Sequence, residues 1–177
     1  MRRLTVIGSG YVGLSTAVAL AELSHLVIAV DNDPAKIAVL KNGTSPISEA
    51  GMNEGIARGL ESGQLSFSTE VLESVEGADV VFLCLPTPQG DDGSADLSYI
   101  ENVARAIGSH LSSDAVVVNK STVPVSTSVQ VAKWLGREDI SVVSNPEFLR
   151  QGTALQDFLH PNRIVVGGDN TTAVEKV

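Results

Sequence analysis

The sequence has 177 residues, 43% of them hydrophobic, which is long enough for one domain with a buried core and too apolar for a disordered chain. Its net charge of −9 argues against nucleic acid or a membrane surface as a partner, because both are bound by basic faces. The single cysteine, Cys84, excludes an internal disulfide, and no apolar run is long enough for a signal-peptide core or a membrane span. We therefore expect a cytoplasmic protein.

The first 31 residues carry the pattern around which the rest of the chain is organised. Apolar residues 4–7 predict a buried strand, residues 8–13 read Gly-Ser-Gly-Tyr-Val-Gly, and the small and apolar residues 14–23 predict a helix packed on a sheet. Apolar residues 26–30 predict the next strand, which ends on Asp31. Strand, glycine turn, helix, strand and acid in this order predict a dinucleotide-binding site.

Each part of this predicted site has its own expected role. Gly8 permits the tight turn out of the strand, Gly10 lets a pyrophosphate approach the backbone, and Gly13 lets the helix lie close to the strands. The helix N-terminus offers free N–H groups to the phosphates. Asp31 is placed to accept hydrogen bonds from a ribose diol, and its carboxylate would repel a 2′-phosphate. The pattern therefore favours NAD over NADP.

The rest of the chain alternates between strand and helix patterns. We expect helices over residues 34–41, 52–60, 70–75, 98–111 and 126–135 and from Thr171, and strands over residues 65–67, 79–85, 115–119, 140–144 and 164–166. The expected N-terminal caps are Asp33, Thr69, Ser98 in a capping box with Glu101 (or Asp96 in its place), and Ser126. This alternation predicts an α/β fold, a Rossmann-type doubly wound parallel sheet with helices on both faces.

Polar segments follow three of the later predicted strands: residues 86–88, 120–124 and 145–152. Ligands of open α/β sheets bind at the carboxyl ends of the strands, so these segments are expected to share one site with the glycine turn. Thr87 is a candidate cofactor contact by position, which equally fits a simple turn former. Lys36 lies near the adenosine end of the proposed site, where it equally fits a solvated surface lysine.

The sequence resembles the UDP-glucose/GDP-mannose dehydrogenase family over residues 1–169. The resemblance is carried by three strand-end segments, residues 85–88, 120–124 and 145–150, together with residues 160–167. The resemblance implies an enzyme that oxidises C6 of a nucleotide-diphospho-hexose from alcohol to carboxylate while it reduces two NAD, with UDP-glucose to UDP-glucuronate as the leading reaction. In this family an active-site cysteine captures the intermediate aldehyde covalently.

The resemblance also implies roles for individual residues. It assigns cofactor contacts to Tyr11, Val12, Asp31, Lys36, Thr87 and Thr122. It assigns acid/base work, or the holding of a catalytic water, to Glu147, with Thr122 beside it; a cap or loop-tethering acid is the other interpretation of Glu147. It assigns substrate contacts to Glu147, Phe148, Leu149 and Arg150. Gln151 stands where the family usually has a cofactor-contacting acid, so it keeps a hydrogen-bonding amide but lacks the charge.

The resemblance further implies that residues 1–177 are the NAD-binding half of the family's enzyme. We expect the linking helix, the substrate domain and the catalytic cysteine to lie outside these residues, and the full-length protein to be a homodimer. Cys84 is predicted inside a buried strand, where a thiol is usually inert, so it is not a substitute nucleophile. No metal site is expected.

Four alternatives to the leading function stay open at this point. GDP-mannose or UDP-N-acetyl-hexosamine could be the sugar nucleotide. A 3-hydroxyacid or 6-phosphogluconate-type dehydrogenase shares the glycine turn but would not explain residues 145–150. A non-catalytic NAD-sensing module would need the turn and the acid, but not three polar strand ends.

Overall fold

A six-stranded sheet forms the centre of the molecule in the computed structural model, which describes residues 1–177. The strands are β1 (Arg3–Ile7), β2 (Leu26–Val30), β3 (Leu65–Ser68), β4 (Val80–Leu83), β5 (Val116–Asn119) and β6 (Ser141–Ser144). The helices are α1 (Tyr11–Glu22), α2 (Pro34–Lys41), α3 (Met52–Glu61), α4 (Val71–Val75), α5 (Ser98–Ile107), α6 (Thr127–Leu135), α7 (Ala154–Leu159) and α8 (Thr171–Lys176), with a 3₁₀ turn at Gly108–His110.

All neighbouring strands are parallel, in the order β3-β2-β1-β4-β5-β6. The chain reverses its direction of strand addition between β1 and β4, which creates a crevice at their carboxyl ends. The predicted fold class, a doubly wound parallel sheet of Rossmann type, is confirmed. The carboxyl edge is where the glycine turn and the polar strand ends emerge.

Buried side chains form one apolar cluster on each face of the sheet. The first contains side chains of β1 and β2 packed under α1, α2, α3 and α7, for example Val6, Leu14 and Leu155. The second contains Ile7 and Val117 packed under α4, α5 and α6. Successive residues Val6 and Ile7 enter opposite clusters because strand side chains alternate between faces. Helices therefore cover both faces, as predicted.

The predicted strand at residues 164–166 is wrong. Ile164 is 69% exposed. The one β contact of this region is an isolated antiparallel bridge between Gly167, just after the predicted strand, and Ser144 of β6. The apolar β-branched residues gave the pattern of a strand, but the segment lies at the sheet edge with a single bridge in place of a ladder. Helix α7, at Ala154–Leu159, was missing from the sequence prediction.

The predicted helix caps were right at one position and wrong at three. Asp33 accepts hydrogen bonds from the N–H groups of Ala35 and Lys36 at the start of α2, as predicted. The caps predicted at Thr69, Ser98 and Ser126 make no such bonds. Helix α5 instead begins where Asp96 accepts from the N–H of Ser98, so the alternative to the capping box was the better interpretation.

Candidate cofactor site

The turn between β1 and α1 is built from glycines that are held close to the end of β4. Gly8 has φ +98°, and a Cβ added there would also collide with the carbonyl oxygen of Cys84. A Cβ on Gly13 would collide with the carbonyl oxygen of Gly8. Both positions therefore require glycine, the first for its backbone conformation and the second for the close approach of α1 to the turn.

Gly10 differs from Gly8 and Gly13, and its surroundings show whether a dinucleotide fits at this turn. It has an extended conformation, φ −76° and ψ −167°, and a Cβ built on it meets no atom within 4 Å. The space beside it is open, and the first N–H groups of α1 have no partner within the helix. An open backbone surface at a helix N-terminus fits a pyrophosphate, so Gly10, Tyr11 and Val12 would hold that part of NAD.

Asp31 lies at the end of β2, beside the glycine turn. It is 8% exposed; its carboxylate accepts hydrogen bonds from the N–H of Ser9 at 2.9 Å and of Asp33 at 3.1 Å. Lys36 Nζ donates to the same carboxylate at 2.8 Å. Burial opposes ionisation of Asp31, but the hydrogen bonds from Lys36, Ser9 and Asp33 outweigh it and hold the pKa below its usual value. Asp31 is thus an anion fixed where the ribose diol is expected.

The strand ends beyond β4 and β5 meet directly. Thr87 Oγ1 donates to the carbonyl oxygen of Thr122 at 2.9 Å, and Ser121 Oγ donates to the carbonyl oxygen of Leu85 at 2.7 Å. These bonds join the segment after β4 to the segment after β5. The two threonines predicted as cofactor contacts are therefore neighbours at the same sheet edge.

A buried lysine connects β5 to the segment after β6. Lys120 is 4% exposed, and its Nζ donates to Asn145 Oδ1 at 3.1 Å and lies 5.3 Å from the centroid of the Phe158 ring. Burial lowers the pKa of Lys120, and the acidic groups of Cys84 and Glu147 oppose that shift. Glu147 Oε2 accepts from the N–H of Leu149 at 2.6 Å. The carboxylate predicted for acid/base work therefore lies at the sheet edge with a buried cation in its surroundings.

The residues after Glu147 are fixed by contacts within the chain. Phe148 is 47% exposed, and the guanidinium of Arg163 lies 4.3 Å from its ring centroid. Arg150 forms an ion pair with Asp157 at 2.6 Å, and its N–H donates to the same carboxylate at 2.9 Å. The Arg150 interaction lowers the pKa of Asp157. The cationic end of Arg150, predicted to contact substrate, is here paired with an acid of α7.

One residue of this region, Glu49, is not predicted from the sequence. Glu49, in the loop between α2 and α3, accepts hydrogen bonds from the N–H groups of Gly152 and Ala154. A cavity of about 320 Å³ lies beside it and is lined by Tyr11, Ile47, Ser48, Glu49 and Gln151. The buried hydroxyl of Tyr11 has no hydrogen-bond partner. Burial, followed by the charges of Glu49, Glu147 and Asp157, raises the pKa of Tyr11. No signal in the sequence indicates that Glu49 meets a turn about one hundred residues away.

Cys84 lies one residue beyond β4, so its predicted place inside the strand is wrong. It is half-buried, packs against the core under the glycine turn, and its N–H donates to the carbonyl oxygen of Ile7. Burial raises the pKa of its thiol to about 12, against the opposing charge of Lys120. The expectation that this thiol is inert rests on its burial rather than on strand membership.

Two further features of the chain concern metals and membranes. The structure contains no group of three or more histidine, cysteine, aspartate or glutamate side chains placed to bind a metal ion. None of its helices has the length and apolar composition needed to span a bilayer.

A parallel sheet of this order, with a glycine turn after its first strand and a buried acid after its second, defines a dinucleotide-binding domain. The family described as UDP-glucose/GDP-mannose dehydrogenase family, NAD binding domain, matches residues 2–177. The chain belongs to this family, and the predictions of the family and of NAD as cofactor are confirmed.

Similar proteins share this domain as part of longer chains. UDP-glucose 6-dehydrogenase of Rhizobium meliloti is 45% identical over 174 residues, covering 96% of this chain and 40% of the relative. The UDP-glucose dehydrogenase structure from Pyrobaculum islandicum has a TM-score of 0.94 at 43% identity, covering 99% of this chain and 42% of that one. GDP-mannose dehydrogenase of Pseudomonas aeruginosa has a TM-score of 0.91 at 35% identity, covering 98% and 42%. The chain thus spans about two fifths of these relatives' lengths.

Proposed function

We propose that residues 1–177 form the cofactor-binding domain of an NAD-dependent nucleotide-sugar 6-dehydrogenase. The leading reaction is oxidation of UDP-glucose to UDP-glucuronate, with two NAD reduced. The observation that carries the proposal is the placement of Glu147: it follows β6 at the same carboxyl edge of the sheet as the glycine turn, two residues after Asn145, which accepts a hydrogen bond from the buried Lys120. Relatives named UDP-glucose 6-dehydrogenase, 38–45% identical to this chain, support UDP-glucose as the first substrate to test.

In the proposed reaction, some residues of the chain bind NAD and another transfers a proton. Asp31 and Lys36 would hold the adenosine ribose, and the turn around Gly10 would hold the pyrophosphate. NAD, when bound, supplies the acceptor for hydride. Oxidation of an alcohol also releases a proton, and Glu147 would accept that proton or hold a water. Phe148, Leu149, Arg150 and Gln151 would complete the wall of the site.

The substrate is tested on the complete protein that carries these residues. NADH production is measured with UDP-glucose, GDP-mannose and UDP-N-acetyl-mannosamine at equal concentrations. UDP-glucose is expected to give the highest kcat/KM, with two NADH formed per sugar. Turnover with only GDP-mannose or the N-acetylated sugar would transfer the proposal to that substrate, and NADH binding without any turnover would support an NAD-sensing module instead.

The role of Glu147 is tested by Glu147→Gln in the same complete protein. The amide keeps the size of the side chain but cannot accept a proton, so turnover should fall by about a hundredfold or more while NADH affinity stays unchanged. Glu138→Gln is the matched control, since Glu138 is an exposed carboxylate in the turn between α6 and β6. Near-normal turnover of Glu147→Gln would remove Glu147 from the acid/base role and favour a loop-tethering acid.

The proposal also includes a cytoplasmic homodimer for the complete protein. The one cysteine of the chain is free, which fits a reducing compartment. Light scattering of the complete protein measures the oligomer directly, and a monomer would remove that part of the proposal.

A further inference from the structure

Glu49 joins two loops that are far apart in the sequence. It lies between α2 and α3, and its Oε1 accepts the N–H of Gly152 at 2.6 Å while Oε2 accepts the N–H of Ala154 at 3.1 Å. Hydrogen bonds to an ionised carboxylate are stronger than neutral ones, and here both oxygens take part. The carboxylate thereby fixes the turn between β6 and α7 against the loop after α2.

The turn that Glu49 holds carries Gln151 at its tip. Gly152 adopts φ +92°, and the N–H of Thr153 donates to the carbonyl oxygen of Arg150 at 3.1 Å, which closes the turn. On the other side, Asp157 of α7 binds the backbone and the guanidinium of Arg150. The residues on either side of Gln151 are therefore both held by carboxylates, Arg150 by Asp157 and Gly152 by Glu49. Neither carboxylate binds the side-chain amide of Gln151.

The cavity beside this turn has an unsatisfied polar group. Gln151 and Glu49 line it together with Tyr11, the first residue of α1, which directly follows Gly10 of the glycine turn. The Tyr11 hydroxyl is buried and makes no hydrogen bond, although buried polar groups are almost always paired. A polar group of a ligand entering beside the glycine turn would pair with it. Through Tyr11 the cavity adjoins the glycine turn, where NAD is proposed to bind.

The strand order indicates which part of the dinucleotide reaches this cavity. Asp31 ends β2, on one side of the switch point between β1 and β4, and would take the adenosine ribose. The segment that carries Gln151 follows β6, which lies on the other side of the switch point. Across a switch point the two halves of a dinucleotide lie on opposite sides. The nicotinamide half is therefore the part expected near Gln151.

We propose that Glu49 is a positioning residue for the nicotinamide half of NAD, acting through the Gln151 turn that it holds against the cavity beside α1. The inference rests on the proposed cofactor site. Glu49 itself already uses both oxygens within the protein, so it acts through the turn rather than by touching the cofactor.

The test compares two ligands, NADH and ADP-ribose, which lacks the nicotinamide. Calorimetry on residues 1–177 measures the Kd of both for the unchanged chain, Glu49→Gln, Gln151→Ala and the double variant. Glu49→Gln replaces one accepting oxygen by an NH₂ group that faces an N–H donor. NADH binding should weaken about tenfold in either single variant, while ADP-ribose binding changes less than about twofold. Both changes act on one turn, so their effects should not add. The double variant should bind NADH with the same Kd as the single variant that binds it less tightly.

Glu54→Gln is the matched control, an identical change on an exposed carboxylate of α3. Equal weakening of NADH and ADP-ribose by Glu49→Gln, or a lower Tm with unchanged NADH affinity, would show a merely structural role and overturn the inference. Additive losses in the double variant would also overturn it. Gln151→Ala changes an exposed side chain and tests the inference even where Glu49→Gln fails to fold: unchanged NADH affinity would overturn it. An unchanged chain that binds neither ligand would overturn the proposed cofactor site, and this inference with it.

Discussion

The glycines of the turn after β1 serve different physical purposes at positions only a few residues apart. Gly8 is required by its positive φ and by the nearby carbonyl of Cys84, and Gly13 by the carbonyl of Gly8. Gly10 is required by neither, since its backbone is extended and its surroundings are open. Its role is therefore left to a ligand, and the two kinds of glycine can be separated by mutation.

Gly10→Val is expected to fold and to lose NAD binding. The valine side chain would enter the open space where the pyrophosphate is expected, while the backbone conformation suits an L residue. The lost glycine N-cap costs about 1 kcal/mol of stability. Circular dichroism and thermal melting check the fold, and calorimetry checks NADH binding. Gly13→Val is the matched control and should fail to fold, because its Cβ meets backbone. A folded Gly10→Val that binds NADH normally would place the phosphates elsewhere.

Asp31→Asn should weaken NAD by about 1.5–3 kcal/mol, the range for hydrogen bonds to a charged group. NADP should lose less or gain, because the change removes a repulsive carboxylate and frees Lys36, whose ammonium now lies 2.8 Å from it. Asparagine keeps one oxygen to accept from the N–H of Ser9 or Asp33, so the fold is disturbed less than by alanine. Calorimetry with both cofactors measures the ratio of their affinities.

In the double variant with Lys36→Met, the relative improvement of NADP should disappear. Equal affinity of the unchanged chain for NAD and NADP would show that Asp31 does not select the cofactor.

Sequence reasoning could identify Asp31 because a strand leads directly to it. The ion pair with Lys36 was not predicted, since it depends on the side-chain conformation across the first turn of α2.

Secondary structure was predictable wherever a long apolar run was buried on both faces or a helical stripe was buried on one. Strand β2 was predicted at its observed bounds, Leu26–Val30. Helix α7 was missed because it buries little more than Ala154 and Leu155, too few positions to form an apolar stripe in the sequence. Residues 164–166 were taken for a strand because β propensity describes a residue that suits a pleated, half-buried surface, and it does not supply a partner strand.

Helix α6 is bounded at both ends by residues in the left-handed conformation. Ser126 before it has φ +71°, and Gly136 after it has φ +65°. Ser126 was predicted as a side-chain cap, but it makes no capping bond. The left-handed conformation costs a non-glycine residue about 1–2 kcal/mol, so the serine is a strained position. Sequence alone does not reveal this strain, since serine is a favoured cap at ordinary φ.

Ser126→Gly should therefore stabilise the chain by about 1 kcal/mol, after the added freedom of glycine in the unfolded chain is subtracted. The matched control is Gly136→Ala at the opposite end of the same helix, where no atom lies within 4 Å of the added Cβ but the conformation is the same. It should destabilise by a similar amount. Urea unfolding measures both changes, and a destabilised Ser126→Gly would contradict the assignment of strain.

At the scale of the whole molecule, the site depends on contacts that no local pattern encodes. The sequence placed three polar segments at one sheet edge, because the ends of parallel strands meet there. It could not show that Thr87 binds the backbone of Thr122, that Lys120 reaches Asn145, or that Glu49 holds the turn at Gly152. Such pairs arise from how loops of different strands pack together, so they become visible only in the folded chain.

The state of the one thiol decides what residues 1–177 can do by themselves. The resemblance to nucleotide-sugar dehydrogenases implies a cysteine that captures an aldehyde, and a thiolate is the reactive form. Burial raises the pKa of Cys84 to about 12. At pH 8 the thiol is therefore almost entirely protonated and unreactive. Cys84 also packs under the glycine turn, where Gly13 and the end of β4 approach each other.

Residues 1–177 are therefore expected to bind NADH but to produce none from UDP-glucose and NAD. Iodoacetamide at pH 8 should leave Cys84 unmodified in the folded chain and alkylate it fully in denaturant, as read by mass spectrometry. Cys84→Ala in the complete protein should leave its turnover nearly unchanged, because this thiol performs no step. Rapid alkylation of the folded chain would contradict the inert state of this thiol. NADH formed from UDP-glucose by residues 1–177, and abolished by Cys84→Ala, would identify Cys84 as the nucleophile.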